Sequence, residues 1–262
     1  MLNIIQAESN KKIKYLRSLK QKKVRLRDST YILEGLKVNL EGIREGADLI
    51  EIFMSQSFYE NEYEKYPDLA KVRKNIVADK VFNKITDTVN SQGIISTVKA
   101  DLKNLEDIMP FGRYILVDGL SDPGNLGGII RAIDAFNFDG LILGPKTVDI
   151  LNEKVVRSTM ASIFRVKAYV MDDLKEMTDL KKKKFRIFST NLSPASKDPV
   201  QVDLKNNIIL IIGNEANGVS SEMESFADGM IHIPMEGRAE SLNANVSASI
   251  LMYESQRQRR ES

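Results

Sequence analysis

The sequence predicts an α/β protein in two parts: a small α/β unit, followed by a larger domain built on a parallel sheet with helices on both faces. Three observations predict it. Apolar strand-like runs near 114–118, 140–143, 185–190, 208–212 and 230–234 alternate with helix-period segments, the pattern of strands that pair in parallel through crossover helices. The stretch "DLKNLEDIMPFG" at 101–112 carries the Pro and Gly of a boundary between halves of different patterning. Apolar residues make up 42% of 262 positions, ample for a packed core.

Taken in order, the first element is the basic tract "KKIKYLRSLKQKKVRLRD" at 11–28, which has no acid before Asp28. Ile13, Leu16 and Leu19 fall on one helical face, so a single helix is expected here, with its positive charge in a stripe. That stripe suits phosphates, and it suits a plain solvated helix face equally well. Next, "YILEGLKVNLEGIREGA" reads as a strand edge running into a helix, "LIEIFMS" as a strand and "QGIISTVK" as another. Beyond the boundary, "KKKK" at 181–184 sits where lysines suit the negative end of a helix, directly before the strand "FRIFST".

Composition removes several chemistries. Cys and Trp are absent and His occurs once, so disulfide frameworks, thiolate nucleophiles, Cys/His zinc sites and triads that need several histidines are excluded, and no metal is expected. No run is long enough for a membrane helix, and Lys11 and Lys12 precede any stretch suited to a signal peptide. A soluble cytoplasmic protein without membrane partners is expected. The net charge of +2 says little by itself about nucleic acid.

Two glycine-rich readings fail. Gly124, Gly127 and Gly128 never give the G-x-G-x-x-G spacing of a dinucleotide loop, and in "GPKT" at 144–147 a proline interrupts the Gly-Lys pair of a phosphate loop. His232, flanked by Ile231 and Ile233, reads as a structural or surface residue and receives no role. What remains is three segments: "DGLSDPGNLGGIIRA" (118–132), "IGNEANGVS" (212–220) and "IPMEGRAESLNANVSAS" (233–249). Each follows an apolar strand, breaks with Gly, Asn or Pro and enters a helix. All three loops should therefore open at the carboxyl end of one parallel sheet and share a site.

These segments resemble the three signature motifs of the SpoU (TrmH-like) RNA ribose 2′-O-methyltransferases, of the knotted SPOUT superfamily. Asp122, Pro123, Asn125, Gly127 and Arg131 match the first motif; Gly213, Asn214, Glu215 and Gly218 the second; Ile233, Pro234, Met235, Gly237, Ser241, Leu242 and Asn243 the third. Gly128, Asn245 and Ser247 depart from the family pattern. The likeness runs from about Ile115 to Tyr253. Upstream, "YILEGLKVNLEGIREGADLIEIFMS" and "KITDTVNSQGIISTVKA" resemble a substrate-binding domain similar to ribosomal protein L30e.

The resemblance implies a C-terminal SPOUT domain with a deep trefoil knot at 112–262, preceded by an L30e-like RNA-binding domain at 1–105. It implies S-adenosylmethionine as cofactor, held by Gly213, Ile233, Met235 and Leu242 and bordered by Thr190 and Asn191. Catalysis is implied at Arg131, helped by Asn125, Glu215, Ser241 and Asn243. Arg131 fits two roles, general base or holder of a phosphate and of developing alkoxide charge; a guanidinium is a poor general base and suits the second. Glu215 fits a carboxylate acceptor or a partner of backbone amides at a helix start. Structured RNA is the implied substrate, 23S rRNA ahead of transfer RNA, with Lys20, Lys22, Lys23 and Arg25 contacting it. A non-catalytic RNA-binding assembly factor is the rival, and both ribosome maturation and antibiotic resistance fit as roles. A homodimer is implied, with Val246, Ile250 and Tyr253 of "NVSASILMYES" placed either at its interface or inside one subunit.

Overall fold

A computed structural model describes residues 3–86, 88 and 90–261. Met1, Leu2 and Ser262, at the ends of the two expected domains, and Asp87 and Val89, within "KITDTVNSQGIISTVKA", lie outside the described residues. Two compact units emerge, one of residues 1–101 with 151–164, the other of 102–150 with 165–262.

The first unit contains β1 (Ile4–Ile5), α1 (Lys11–Ser18), α2 (Lys22–Asp28), β2 (Thr30–Glu34), α3 (Leu36–Arg44), β3 (Leu49–Ser55), α4 (Gln56–Asn61), β4 (Lys74–Val77), α5 (Asp79–Phe82) and β5 (Ile94–Lys99). Its strands pair in the order β1-β4-β3-β5-β2, parallel at β1/β4 and β4/β3 and antiparallel at β3/β5 and β5/β2. The four expected elements between 30 and 100 are present as β2, α3, β3 and β5, and the short β1 and β4, with too little chain for a period to register, extend the sheet. Ile13, Leu16 and Leu19 are buried on the sheet with Ile32, Phe53 and Ile95, as their spacing predicts.

The basic tract departs from expectation. It folds as two helices, and Arg25 turns inward: it is 3% exposed and its Nη1 donates to the carbonyls of Leu19 (2.7 Å) and Lys20 (2.8 Å), just past the end of α1. Arg25 is therefore a structural cap, and its assignment to RNA is corrected. Lys20, Lys22 and Lys23 are exposed.

The second unit holds β6 (Leu102–Asn104), β7 (Arg113–Val117), α6 (Pro123–Ala135) and β8 (Gly140–Leu143); α7 (Glu153–Ser158) follows in the chain and groups with the first unit. Then come β9 (Ala168–Val170), α8 (Glu176–Lys182), β10 (Arg186–Thr190), β11 (Ile208–Ile212), α9 (Ser221–Glu224), β12 (Gly229–Ile231) and α10 (Ala244–Arg260). Seven strands pair in the order β12-β10-β11-β7-β8-β9-β6, every pairing parallel. β7 and β11 are buried at every position, as strands covered on both faces must be.

Two strands were not expected. The stretch 101–112 supplies β6, pairs with β9, and buries Leu105 and Ile108 in the core. The contact boundary accordingly falls at 101/102 and not within 105–112. Arg113, 1% exposed, ties β7 to two helix ends: it donates to the Asn137 carbonyl (2.9 Å) and Ser255 Oγ (3.1 Å) and lies over the Phe138 ring. Burial, with Arg259 nearby, pushes its guanidinium down to about 10. Among the described residues no helix is long and apolar enough to cross a membrane.

Arg25→Ala is expected to cost about 1–3 kcal/mol in urea unfolding, since buried carbonyls lose a charged donor. Lys22→Ala and Lys23→Ala should each stay within about 0.5 kcal/mol. Equal effects in all three variants would contradict the capping role.

Candidate active site

The loops following β7, β11 and β12 all leave the carboxyl edge of the seven-stranded sheet. The first explains its own helix-breaking residues. Asp122 is the N-cap of α6, its Oδ1 accepting from the Asn125 amide at 2.7 Å, and Pro123 occupies the first helical turn, where no N–H is needed.

The second loop is closed on itself. The Asn214 amide donates to the Gly218 carbonyl and the Gly218 amide to the Asn214 carbonyl, both at 2.9 Å, while Asn214 Oδ1 accepts from the amides of Ala216 and Asn217. Gly213 has no alternative here. A Cβ on it would lie 2.1 Å from the Gly218 carbonyl carbon and 2.2 Å from the Val219 nitrogen, inside the backbone.

Glu215 projects from this loop onto the first. Its Oε1 accepts from the Asp122 amide (3.1 Å) and Asn125 Nδ2 (2.8 Å), and its Oε2 from the Ser121 amide (3.3 Å) and hydroxyl (2.9 Å). Asn125 in turn accepts from Asn243 Nδ2 at 2.7 Å, and Asn243 Oδ1 caps α10 by accepting from the Asn245 amide at 2.9 Å. All three motif loops are thus stitched in series. Burial pushes the Glu215 carboxyl up, but the bonds from Asn125, its own amide, the Asp122 amide and Ser121 outweigh it and hold the group down at about 2. It is ionised at neutral pH, and of its two sequence readings the geometry matches the partner of amides at a helix start.

Beside this relay lies a cavity of about 340 Å³, whose lining includes all six residues expected to hold a cofactor: Gly213, Ile233, Met235, Leu242, Thr190 and Asn191. Ile212, Val219 and Ile231 add apolar surface, and Asn214, Asn217 and Ser241 add polar residues. A flat heteroaromatic ring with polar substituents fits such a slot. Glu215 and Ser241 also line it.

Asn125 and Asn243 are not on the lining; they stand behind Glu215. Arg131 is not brought to the cavity either. It sits on α6 six residues past Asn125, about 9 Å along the axis, exposed and without a hydrogen-bond or ion-pair partner among the described residues. Sequence reasoning missed Leu192, Asn217 and His232 on the lining. The first two sit within or next to segments already singled out, and His232 was set aside as a lone histidine although it immediately precedes the third motif.

Two departures from the family pattern prove to be one contact. A Cβ on Gly128 would lie 2.5 Å from Asn245 Cγ, so the missing side chain on α6 makes room for the larger one on α10. Farther along α10, Val246, Ile250 and Tyr253 recur on one face and are 43%, 37% and 56% exposed, with the Tyr253 ring edge-on to Phe136 of the same subunit.

With this geometry in hand, comparison with known proteins is specific. Residues 112–253 match the SpoU rRNA Methylase family, and residues 10–96 the MRM3-like substrate binding domain. The chain is 29% identical over 251 residues to the 23S rRNA (guanosine(2553)-2′-O)-methyltransferase RlmP of Bacillus subtilis, covering 95% of this chain and 97% of that protein. The structure of an AdoMet-bound rRNA methyltransferase from Sinorhizobium meliloti superposes with a TM-score of 0.85 at 28% identity, over 98% of both chains. A TrmH/SpoU tRNA modifying enzyme from A. aeolicus is 33% identical with a TM-score of 0.51, covering 57% of this chain and 76% of its own.

The relay makes a pH prediction. A carboxyl that titrates near 2 when folded, against 4.5 ordinarily, contributes stability that is full at neutral pH, declines as pH falls through about 4.5 and is gone below about 2. Glu215→Gln is expected to melt below wild type at pH 7 by scanning calorimetry, with the gap narrowing as pH drops from 5 toward the acid limit of folding. A gap independent of pH would contradict the assignment.

Proposed function

The chain belongs to the SpoU rRNA methylase family, and from that premise we propose that it methylates a ribose 2′-hydroxyl of 23S rRNA with S-adenosylmethionine as donor. The observation that carries this reading is the single cavity that collects Gly213, Thr190, Asn191, Ile233, Met235 and Leu242 beside the Glu215 relay. Those residues would hold the cofactor, whose contribution when bound is an electrophilic methyl group on a sulfonium.

With so reactive a donor, the protein's task is mainly alignment of the 2′-oxygen and stabilisation of the charge it develops. Glu215, Asn125 and Asn243 act as positioning residues: a carboxylate titrating near 2 has little affinity for a proton at neutral pH, so its value lies in fixing the loops. Ser241, exposed on the cavity rim, orients the incoming ribose. Arg131, an exposed and permanently charged guanidinium, holds the target phosphate and offsets the developing alkoxide charge.

Ribosomal RNA is favoured over transfer RNA by coverage. Likeness to the two rRNA enzymes spans nearly the whole chain, whereas likeness to the tRNA enzyme covers 57% of it. The N-terminal unit, which matches a substrate-binding domain, is assigned the RNA through its exposed lysines, including Lys22 and Lys23, and the reaction is placed in the cytoplasm, where ribosomes are made. The second unit is proposed to carry the deep trefoil knot, in keeping with a strand order that seats β11 between β10 and β7. The exposed stripe of Val246, Ile250 and Tyr253 is proposed as the seam of a homodimer.

Titration calorimetry should give micromolar binding of S-adenosylmethionine and S-adenosylhomocysteine but not of NAD or ATP, and Leu242→Glu should abolish it. No binding by wild type would defeat the reading. Arg131→Ala is expected to lower kcat by about 10²–10³ with cofactor affinity unchanged, the mark of a group that acts on developing charge. Sedimentation should show a dimer at micromolar concentration that Ile250→Glu converts to monomer; a monomeric wild type would remove the seam.

A further inference from the structure

The first unit holds a cavity of its own, lined by residues of β2, α3 and α7, by Gln92 and by the turn after α7. It measures about 310 Å³, at the small end of ligand pockets and enough for one flat ring system. Val38 and Met160 bring apolar surface to it, and Lys37, Glu41, Gln92 and Arg157 bring polar groups. The apolar pair is not spent on the core: Met160 is 59% exposed and Val38 half-buried.

Met160 is held there by strained backbone. A helix stop takes one left-handed residue, commonly glycine, whereas after α7 two non-glycine residues in succession adopt that conformation, Met160 at φ 50° and Ala161 at φ 73°. Strain of this kind gathers at ligand sites, and here it sets a large apolar side chain on a cavity in place of the core.

The polar groups are uncommitted. Among the described residues no hydrogen bond or ion pair engages the side chains of Lys37, Glu41 or Arg157. Gln92 uses only Oε1, which accepts from the Leu36 amide at 2.7 Å at the start of α3, so its Nε2 remains to donate. Apolar surface for the face of a ring, cations for phosphate and an amide and a carboxylate for a polar edge together match a nucleotide of single-stranded RNA. Glu34 and Glu153 also line the cavity, so carboxylates outnumber cations, and an edge of carbonyls would meet repulsion where an amino group would meet acceptors.

We propose that this pocket takes one unpaired base of the RNA substrate and prefers a base with an exocyclic amino group, which donates to the Glu41 carboxylate while the ring lies against Val38 and Met160. The proposal rests on the reading of the N-terminal unit as the RNA-binding part and deepens it. The match to a substrate-binding domain over residues 10–96 takes in β2, α3 and Gln92. Exposed lysines that meet phosphates confer affinity without regard to sequence; a pocket that meets a base edge confers choice.

Cytosine and uracil isolate this chemistry, because where cytosine carries an amino donor uracil carries a carbonyl acceptor. In fluorescence anisotropy at low salt, wild type should bind oligocytidylate about three- to tenfold more tightly than oligouridylate of equal length, the worth of one hydrogen bond. Phosphate contacts serve both oligonucleotides alike and cannot produce that ratio. Glu41→Gln keeps the outline of the pocket and removes the carboxylate, and Val38→Trp fills the cavity. Each should bring the ratio close to one, with the melting temperature and the calorimetric affinity for S-adenosylhomocysteine unchanged; should Val38→Trp not fold, Glu41→Gln alone decides. Equal binding of the two oligonucleotides by wild type, or a ratio that survives in Glu41→Gln or in a folded Val38→Trp, would overturn the inference. So would a wild type that binds 23S rRNA but neither oligonucleotide. Wild type that binds no RNA at all would instead defeat the functional reading, and the inference with it.

Discussion

The architecture of the site depends on one ionised carboxylate. Glu215 reaches from the loop after β11 to the amides of Ser121 and Asp122 and to the side chain of Asn125, at the very start of α6. Negative charge at a helix start is favourable in itself, and here several donors converge on it, which is why the group titrates far below its ordinary value. Asn125 passes the constraint to Asn243, which caps α10. Three loops widely separated in sequence therefore share one hydrogen-bonded series, and neutralising the carboxylate would loosen all of them together.

Around that relay, the cavity owes its shape to backbone more than to side chains. Gly213 is packed so closely against the backbone of Gly218 and Val219 that any Cβ would displace the loop, and the loop lines the same cavity as Ile233 and Leu242. A rigid loop beside apolar side chains suits a nucleoside, whose ring needs a slot and whose edges need fixed partners. Preorganisation of this kind fits a reaction in which the donor is already reactive and alignment governs the rate. Arg131 stands apart from the cavity, exposed on α6, where it is open to a polyanionic substrate.

Much of this was legible in the sequence, for identifiable reasons. The parallel sheet was readable because β7, β8 and β11 are buried at every position and so form continuous apolar runs; β6 and β9 are three-residue strands with no such run. The motif residues were readable because turn and cap chemistry leaves few choices at strand-to-helix crossings. Arg25 was misread because a run of basic residues carries no sign of which one turns inward; that depended on where α1 stops and exposes its carbonyls. The pairing of Gly128 with Asn245 was invisible for a similar reason, since two departures 117 positions apart become one contact only when α6 and α10 pack. His232 was passed over because a lone histidine is usually structural, and its place on the cavity lining is a property of the fold alone.

The central claim is methyl transfer to a ribose oxygen, and alkali reads it directly, because a methylated 2′-oxygen can no longer attack the neighbouring phosphodiester. 23S rRNA lacking the modification would be incubated with the protein and radiolabelled S-adenosylmethionine, hydrolysed in alkali and resolved. The account predicts label in an alkali-resistant dinucleotide, with the position of guanosine 2553, for which the Bacillus subtilis relative is named, as the first to inspect. Label recovered in mononucleotides as a methylated base, or no label transferred to rRNA by a protein that binds the cofactor, would contradict it.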